Sequence, residues 1–130
     1  MQPPTTIALY GALNALYNIF LASRVSNSRM REKVSVGMGT SRPLEIASRT
    51  HGNNAEYLPL ALVLLLIAEL MGGHSAALHA LGGGFLVARV LHAIGMPRKA
   101  PNFFRFTGTA VTWTVIAGTA VWLLVLRFTT

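Results

Sequence analysis

Polar and apolar residues alternate along the chain in long blocks. A membrane-spanning helix needs roughly 20 mostly apolar residues, and four stretches meet that length. The first runs from about 6 to 23 and carries no charge. The second runs from about 44 to 71; it is purely apolar from Tyr57 to Ala68, with Glu69 following. The third covers about 75–95, and the fourth about 102–128, uncharged from Phe106 to Leu126. Gly72 and Gly73 stop the second stretch, and the two prolines of "GMPRKAPN" stop the third. "SNSRMREKVSVGMGTSRP" is the one long polar loop. The pattern predicts an all-α integral membrane fold: a single domain over residues 1–130, built as a four-transmembrane-helix bundle.

Composition supports that class. Hydrophobic residues make up 52% of the chain and charged residues 12%, against about 25% charged in soluble domains; mean hydropathy is +0.50. The net charge of +7 does not indicate nucleic acid, because basic residues are not interleaved with base-stacking aromatics. They lie between the apolar blocks instead. Arg24, Arg29, Arg31, Lys33 and Arg42 fall in the first connection; Arg98 and Lys99 fall in the third, with Arg105 just after. The N-terminus and the second connection have none. The positive-inside rule then puts both basic connections in the cytoplasm and both termini on the other side. The first block lacks a basic leader and a small-residue cleavage site, so it reads as a retained span. Cysteine is absent, which excludes disulfides and a cysteine nucleophile. Any thiol chemistry must use a thiol brought by a substrate. No histidine–carboxylate spacing supports a metal site.

Charge inside a span points to chemistry by default. In "SRTHGNNAEYLPLALVLLL", Arg49, Asn53 and Glu56 stand at i, i+4 and i+7 and share one helix face. Tyr57 lies beside them, His51 points to a different side, and Pro59 predicts a bend. Arg49 has a structural alternative, pairing with Glu45 one turn back. Glu56 lies deeper and needs a cation, from another helix or from a ligand. "ARVLHAIGM" places Arg89 and His92 at i, i+3 near the same end, and Arg89 is the expected structural partner of Glu56. Arg105 opens the fourth span in "NFFRFTG". Asn14 and Asn18 are expected to bond a neighbouring helix. Gly11, Ala15 and Ala22, and Gly108, Thr112 and Gly118, read as small-residue packing faces. Glu69, His74 and His79 lie at the opposite end.

Several guanidinium groups, one carboxylate and apolar walls suit a ligand carrying carboxylates and an ammonium. Arginine binds carboxylates bidentately. Glutathione fits, and a guanidinium beside its sulfur would lower the thiol pKa from about 8.5 toward or below 7. Other zwitterions would fit these residue types too.

"RTHGNNAEYLPLALVLLL" resembles the second-helix signature of the MAPEG superfamily, the membrane-associated proteins in eicosanoid and glutathione metabolism. Arg49, Asn53, Glu56, Tyr57 and Pro59 match its pattern, and "ARVLHAIG" resembles its third-helix arginine–histidine pair. The likeness extends over essentially the whole chain, toward the small bacterial inner-membrane branch. It implies a homotrimer of four-helix bundles with glutathione held between protomers near the cytoplasmic face. Arg49, Asn53, Glu56, Tyr57, Arg89 and His92 would bind the peptide, with His51 nearby. Arg24 or Arg29 would reach in from a neighbour, and Arg105 would stabilise the thiolate. The implied activity is that of a glutathione transferase or peroxidase acting on lipophilic electrophiles. Two positions depart from the pattern: Gly52 stands where family enzymes often have arginine, and Met96 where they have tyrosine. Those departures keep a non-catalytic trimer binding lipid or thiol ligands as an alternative. A small proton-coupled exporter is a second alternative, though Glu56 lies nearer one interface than the midplane such a carboxylate would need.

Overall fold

A computed structural model describes residues 2–129. It contains four helices: α1 (Thr5–Glu32), α2 (Arg42–Leu70), α3 (Ser75–Gly95) and α4 (Phe103–Thr129). All four are long and apolar enough to cross a membrane. α2, α3 and α4 lie within two residues of the expected spans.

α1 corrects the sequence reading. It continues nine residues past the expected end at 23, through "RVSNSRMRE". A helix needs intrachain hydrogen bonds, not apolar side chains, and the last turn carries Arg29 and Arg31, which suit the negative end of the helix dipole. It stops where Lys33 turns left-handed at φ 55°, and Val34 N–H closes onto the Arg29 carbonyl at 3.1 Å. Much of the expected long loop is therefore helix, and the true connection is short.

The helix ends are capped by residues the sequence supplies. Ser41 Oγ accepts from Leu44 N–H at 3.2 Å, and Pro43 occupies the first turn of α2, where no N–H is required. α2 runs unbroken through Pro59 and ends before Gly72, whose φ of +80° only glycine adopts easily. Asn102 joins two helices: its Oδ1 accepts from Arg105 N–H at 2.9 Å, and its Nδ2 donates to the Gly95 carbonyl at 3.0 Å.

The start of α1 has no cap of its own. Glu69, at the end of α2, supplies it. Its two carboxylate oxygens accept from Thr6 N–H at 2.8 Å and Ile7 N–H at 2.7 Å. A carboxylate at a helix N-terminus is favoured by both hydrogen bonding and the dipole. The acidic residue therefore ties the first turn of one span to the last turn of the next.

α1 packs on α2 and α3, α4 packs on α2 and α3, and α1 does not pack on α4. Glycines allow the closest approaches. A Cβ at Gly108 would stand 2.7 Å from the Ala88 carbonyl and 2.6 Å from His92 N, so α4 lies directly on the α3 backbone there. Gly82 lies against the Tyr10 ring, whose hydroxyl meets His79 Nδ1 at 3.1 Å. The two apolar clusters are Ala61–Phe85–Val115 and Leu65–Ala68–Leu78. Gly11 and Gly118 meet nothing within 4 Å, whereas Gly108 and Thr112 are buried, so the small-residue face expected on α4 packs inside the chain only at its Gly108–Thr112 end. Leu16 and Ile19 on α1 and Val121 and Leu124 on α4 face outward, each more than half exposed.

Glu69→Ala should remove both bonds at the start of α1 and lower stability by about 1–2 kcal/mol, the usual range for a lost N-cap. Thermal unfolding in detergent measures it. An unchanged melting temperature would show that the first turn of α1 does not need this carboxylate.

Candidate functional site

The site is built around Arg89, which is 1% exposed. A buried guanidinium needs acceptors for its donors, because no water replaces them in a lipid-embedded bundle. Arg89 finds them on two other helices and its own. Nε donates to Asn54 Oδ1 at 3.1 Å, and Nη1 donates to Thr112 Oγ1 at 3.2 Å. Nη2 donates to Asn53 Oδ1 and reaches His92 Nδ1 at 3.3 Å. A guanidinium can only donate, so His92 Nδ1 accepts and the ring proton belongs on Nε2. The network extends to α1: Asn54 Nδ2 donates to Asn18 Oδ1 at 3.0 Å, and the Tyr17 hydroxyl reaches the Arg89 carbonyl at 3.4 Å. The Arg89 Cζ also stands 5.6 Å from the Tyr57 ring centroid.

Glu56 does not pair with Arg89, contrary to the sequence expectation. Arg89 is held by Asn54 and Thr112 on the inner side of the bundle. Glu56 follows Asn54 by two residues, about 200° around the helix, and is exposed. The structural alternative for Arg49, pairing with Glu45, is not formed, since the contact at Glu45 is with Arg42 at 3.7 Å. Of the two asparagines expected to bond across helices, Asn18 does so. Asn14 instead donates to the Tyr10 carbonyl of its own helix, and its Oδ1 is buried without a partner.

The outer face of α2 is left open. Arg49 and Glu56 are exposed, and the described residues contain only two ion pairs, neither of which includes them. Arg49 and Arg105 line one cleft of about 280 Å³ together with Arg42, Glu45, Ile46 and Met96. Arg105 is set there by its place in the first turn of α4 and by Gly95, where a Cβ would collide with the Arg105 backbone nitrogen. Asn53 borders the open face half-buried. Its oxygen is held by Arg89, which leaves its Nδ2 as a donor with no partner among the described residues. The Tyr57 hydroxyl oxygen accepts from Trp113 Nε1 at 2.9 Å, so its own proton is not used in that bond.

Other expected residues lie apart from this cleft. Arg29 Nη1 donates to the Gly37 carbonyl at 2.7 Å. Arg24 lines a different cavity. His51 is half-buried on α2. Sequence reasoning missed Asn54 and gave Thr112 only a packing role. A signal was present for Asn54: it is the polar neighbour of Asn53 on the apolar-facing side of α2, and a buried amide needs a partner.

Comparison with known proteins follows this geometry. The sequence model described as the MAPEG family matches residues 7–125. The chain is 35% identical over 106 residues to the inner membrane protein YecN of Escherichia coli strain K12, covering 82% of this chain and 80% of that protein. The YecN of Escherichia coli O6:H1 matches equally, at 35% over the same length.

Arg89→Met would leave the acceptors of Asn54, Asn53 and Thr112 unbonded in a low-dielectric interior. A loss of about 3 kcal/mol is expected, read as a fall in detergent melting temperature. Arg49→Gln, on the open face, should leave that temperature in place. Equal effects of the two substitutions would mean that the inner and outer faces of α2 do not differ in this way.

Proposed function

The chain belongs to the MAPEG family of membrane proteins, and on that premise we propose that it is a glutathione-binding inner-membrane enzyme. The observation that carries this reading is the cleft shared by Arg49 and Arg105, together with the exposed carboxylate of Glu56 two turns further along α2, which joins no ion pair among the described residues. Arg49, Arg105, the Glu56 carboxylate and the Asn53 amide complement a zwitterion bearing two carboxylates and an ammonium. The peptide carboxylates lie on Arg49 and the Asn53 amide, and its ammonium on Glu56. Seven residues separate Arg49 from Glu56, a rise of about 10 Å along α2, which an extended tripeptide can bridge.

The chain has no cysteine, so the nucleophile is the ligand's thiol. Arg105 stands at the mouth of the same cleft, where a guanidinium favours the thiolate over the thiol. The thiolate attacks a lipophilic electrophile arriving from the bilayer. A carbon–sulfur bond forms, and the displaced group leaves with the electron pair and takes up a proton. With a hydroperoxide as acceptor, the sulfur attacks the distal oxygen and the alkoxide leaves as the alcohol; a second glutathione completes the disulfide and the water. In this reading the protein is a homotrimer, with the basic end of the bundle in the cytoplasm, and Arg24 or Arg29 of a neighbouring copy reaches the peptide.

A second reading has its own observation. Met96 lines the cleft where the family has tyrosine, and Gly52 leaves open space where it has arginine, with nothing within 4 Å of a Cβ. A MAPEG-fold trimer that binds thiol or lipid ligands without turnover fits those two positions. The same space makes a test possible. Gly52→Arg should tighten glutathione binding about tenfold, the effect of one added charge-assisted hydrogen bond. Calorimetry reads it, and unchanged or weaker affinity would place the peptide away from Gly52.

The thiolate is tested by titrating glutathione into the purified protein while following thiolate absorbance in the ultraviolet. Wild type should develop the signal at neutral pH. Arg105→Ala should lose it while keeping most of the heat of binding. No thiolate at millimolar glutathione in wild type would end the enzymatic reading; parallel loss of heat and absorbance in the variant would make Arg105 a binding residue only.

A further inference from the structure

A larger cavity lies at the basic end of the bundle, apart from the peptide cleft. It has a volume of about 410 Å³ and lies between the last turns of α1 and the first turn of α2, with Pro97 of the α3–α4 connection on its rim. Arg24, Arg31 and Arg42 line it, and no acidic residue does. Asn27 adds an amide, and Ile46, Ala47 and Pro97 add apolar lining.

The arginines there are poorly matched within the chain. Arg24 has no acidic partner among the described residues. Arg31 and Arg42 stand 3.9 and 3.7 Å from the carboxylates of Glu32 and Glu45, and both arginine side chains are more than two-thirds exposed. Such exposed pairs contribute little. The first turn of α2 adds the positive end of a 29-residue helix. Three cations thus converge on a concave site that holds no anion of its own.

We infer that this cavity binds a phosphate group, either from the head of an anionic phospholipid or from a soluble phosphate ester. Arginine forks match phosphate oxygens bidentately. The position fits a headgroup, because the cavity lies where the apolar spans give way to polar residues, and Met30 and Val36 nearby are 71% and 87% exposed. Apolar side chains beside basic ones suit the boundary between headgroup and acyl chain. The apolar lining at Ile46, Ala47 and Pro97 suits the glycerol rather than a second charge.

This site does not depend on glutathione binding. Arg42 borders both clefts, and Arg24 has the neighbour-facing role proposed above, so the test uses Asn27 and Arg31, which line neither the peptide cleft nor its supporting network. Asn27→Asp introduces an internal carboxylate with little change of shape. Arg31→Ala removes one cation from an exposed position.

The full-length protein in detergent is exchanged into defined lipid and examined by native mass spectrometry, with phosphatidylglycerol against phosphatidylcholine. Glycerol phosphate forms a separate calorimetric arm, and glutathione binding is measured on the same samples. Wild type should retain phosphatidylglycerol in preference to phosphatidylcholine, or bind glycerol phosphate. Each variant should reduce that binding about fivefold, the effect of one basic charge at a membrane surface, with glutathione affinity unchanged. Loss in the lipid arm alone identifies the headgroup as the source; loss in the soluble arm alone identifies the free ester. No preference for either phosphate compound in wild type, or a preference that both variants retain, would overturn the assignment.

Discussion

One buried guanidinium joins all four helices. Arg89 of α3 donates to α2 through Asn53 and Asn54 and to α4 through Thr112. Asn54 carries the connection on to Asn18 of α1. In a bilayer, apolar packing does not distinguish a neighbouring helix from lipid, so polar contacts and small-residue fit decide which surfaces meet. Arg89 has no acidic partner in this network, and its acceptors are two amides, a hydroxyl and an imidazole. A neutral acceptor set places each donor in a defined direction. It also leaves Glu56 outside any ion pair among the described residues.

That division gives α2 two faces with different work. The inner face, at Thr50, Asn54, Ala61 and Leu65, is buried in the bundle. The outer face, at Arg49 and Glu56, is charged and open. Asn53 lies on the border and connects them: Arg89 fixes its oxygen, and its amide nitrogen bonds no other described residue. The structural network thereby orients a group of the candidate site without touching a ligand itself. Glycines complete the arrangement, since Gly95 and Gly108 let α4 approach α3 closely enough to bring Arg105 beside Arg49.

Much of this was legible in the sequence, for a physical reason. Apolar length marks a span, and α2, α3 and α4 fall close to where hydropathy places them. Hydropathy failed for the end of α1, because helix formation continues through polar residues once membrane thickness no longer limits composition. Of the three residues spaced for one face of α2, Arg49 and Glu56 are exposed and Asn53 is half-buried, with its oxygen bonded to Arg89. Spacing within one helix cannot say which residue of another helix arrives there, so Arg89 was assigned to Glu56 when it bonds to Asn54 and Thr112. The same gap hid the role of Glu69, whose carboxylate caps a helix more than sixty residues earlier in the chain. Arg49 and Arg105 meet only through the α3–α4 crossing, which two glycines permit and which no local pattern reveals.

The most direct test of the central claim is a structure determined in membrane-like surroundings with saturating glutathione. The account predicts a peptide on the open face of α2, with carboxylate density at Arg49 and Asn53, the ammonium at Glu56 and sulfur beside Arg105, and Arg89 still bonded to Asn54 and Thr112. A face of α2 covered by lipid or by side chains of another copy, with Glu56 paired to a protein cation and no peptide between Arg49 and Arg105, would contradict it.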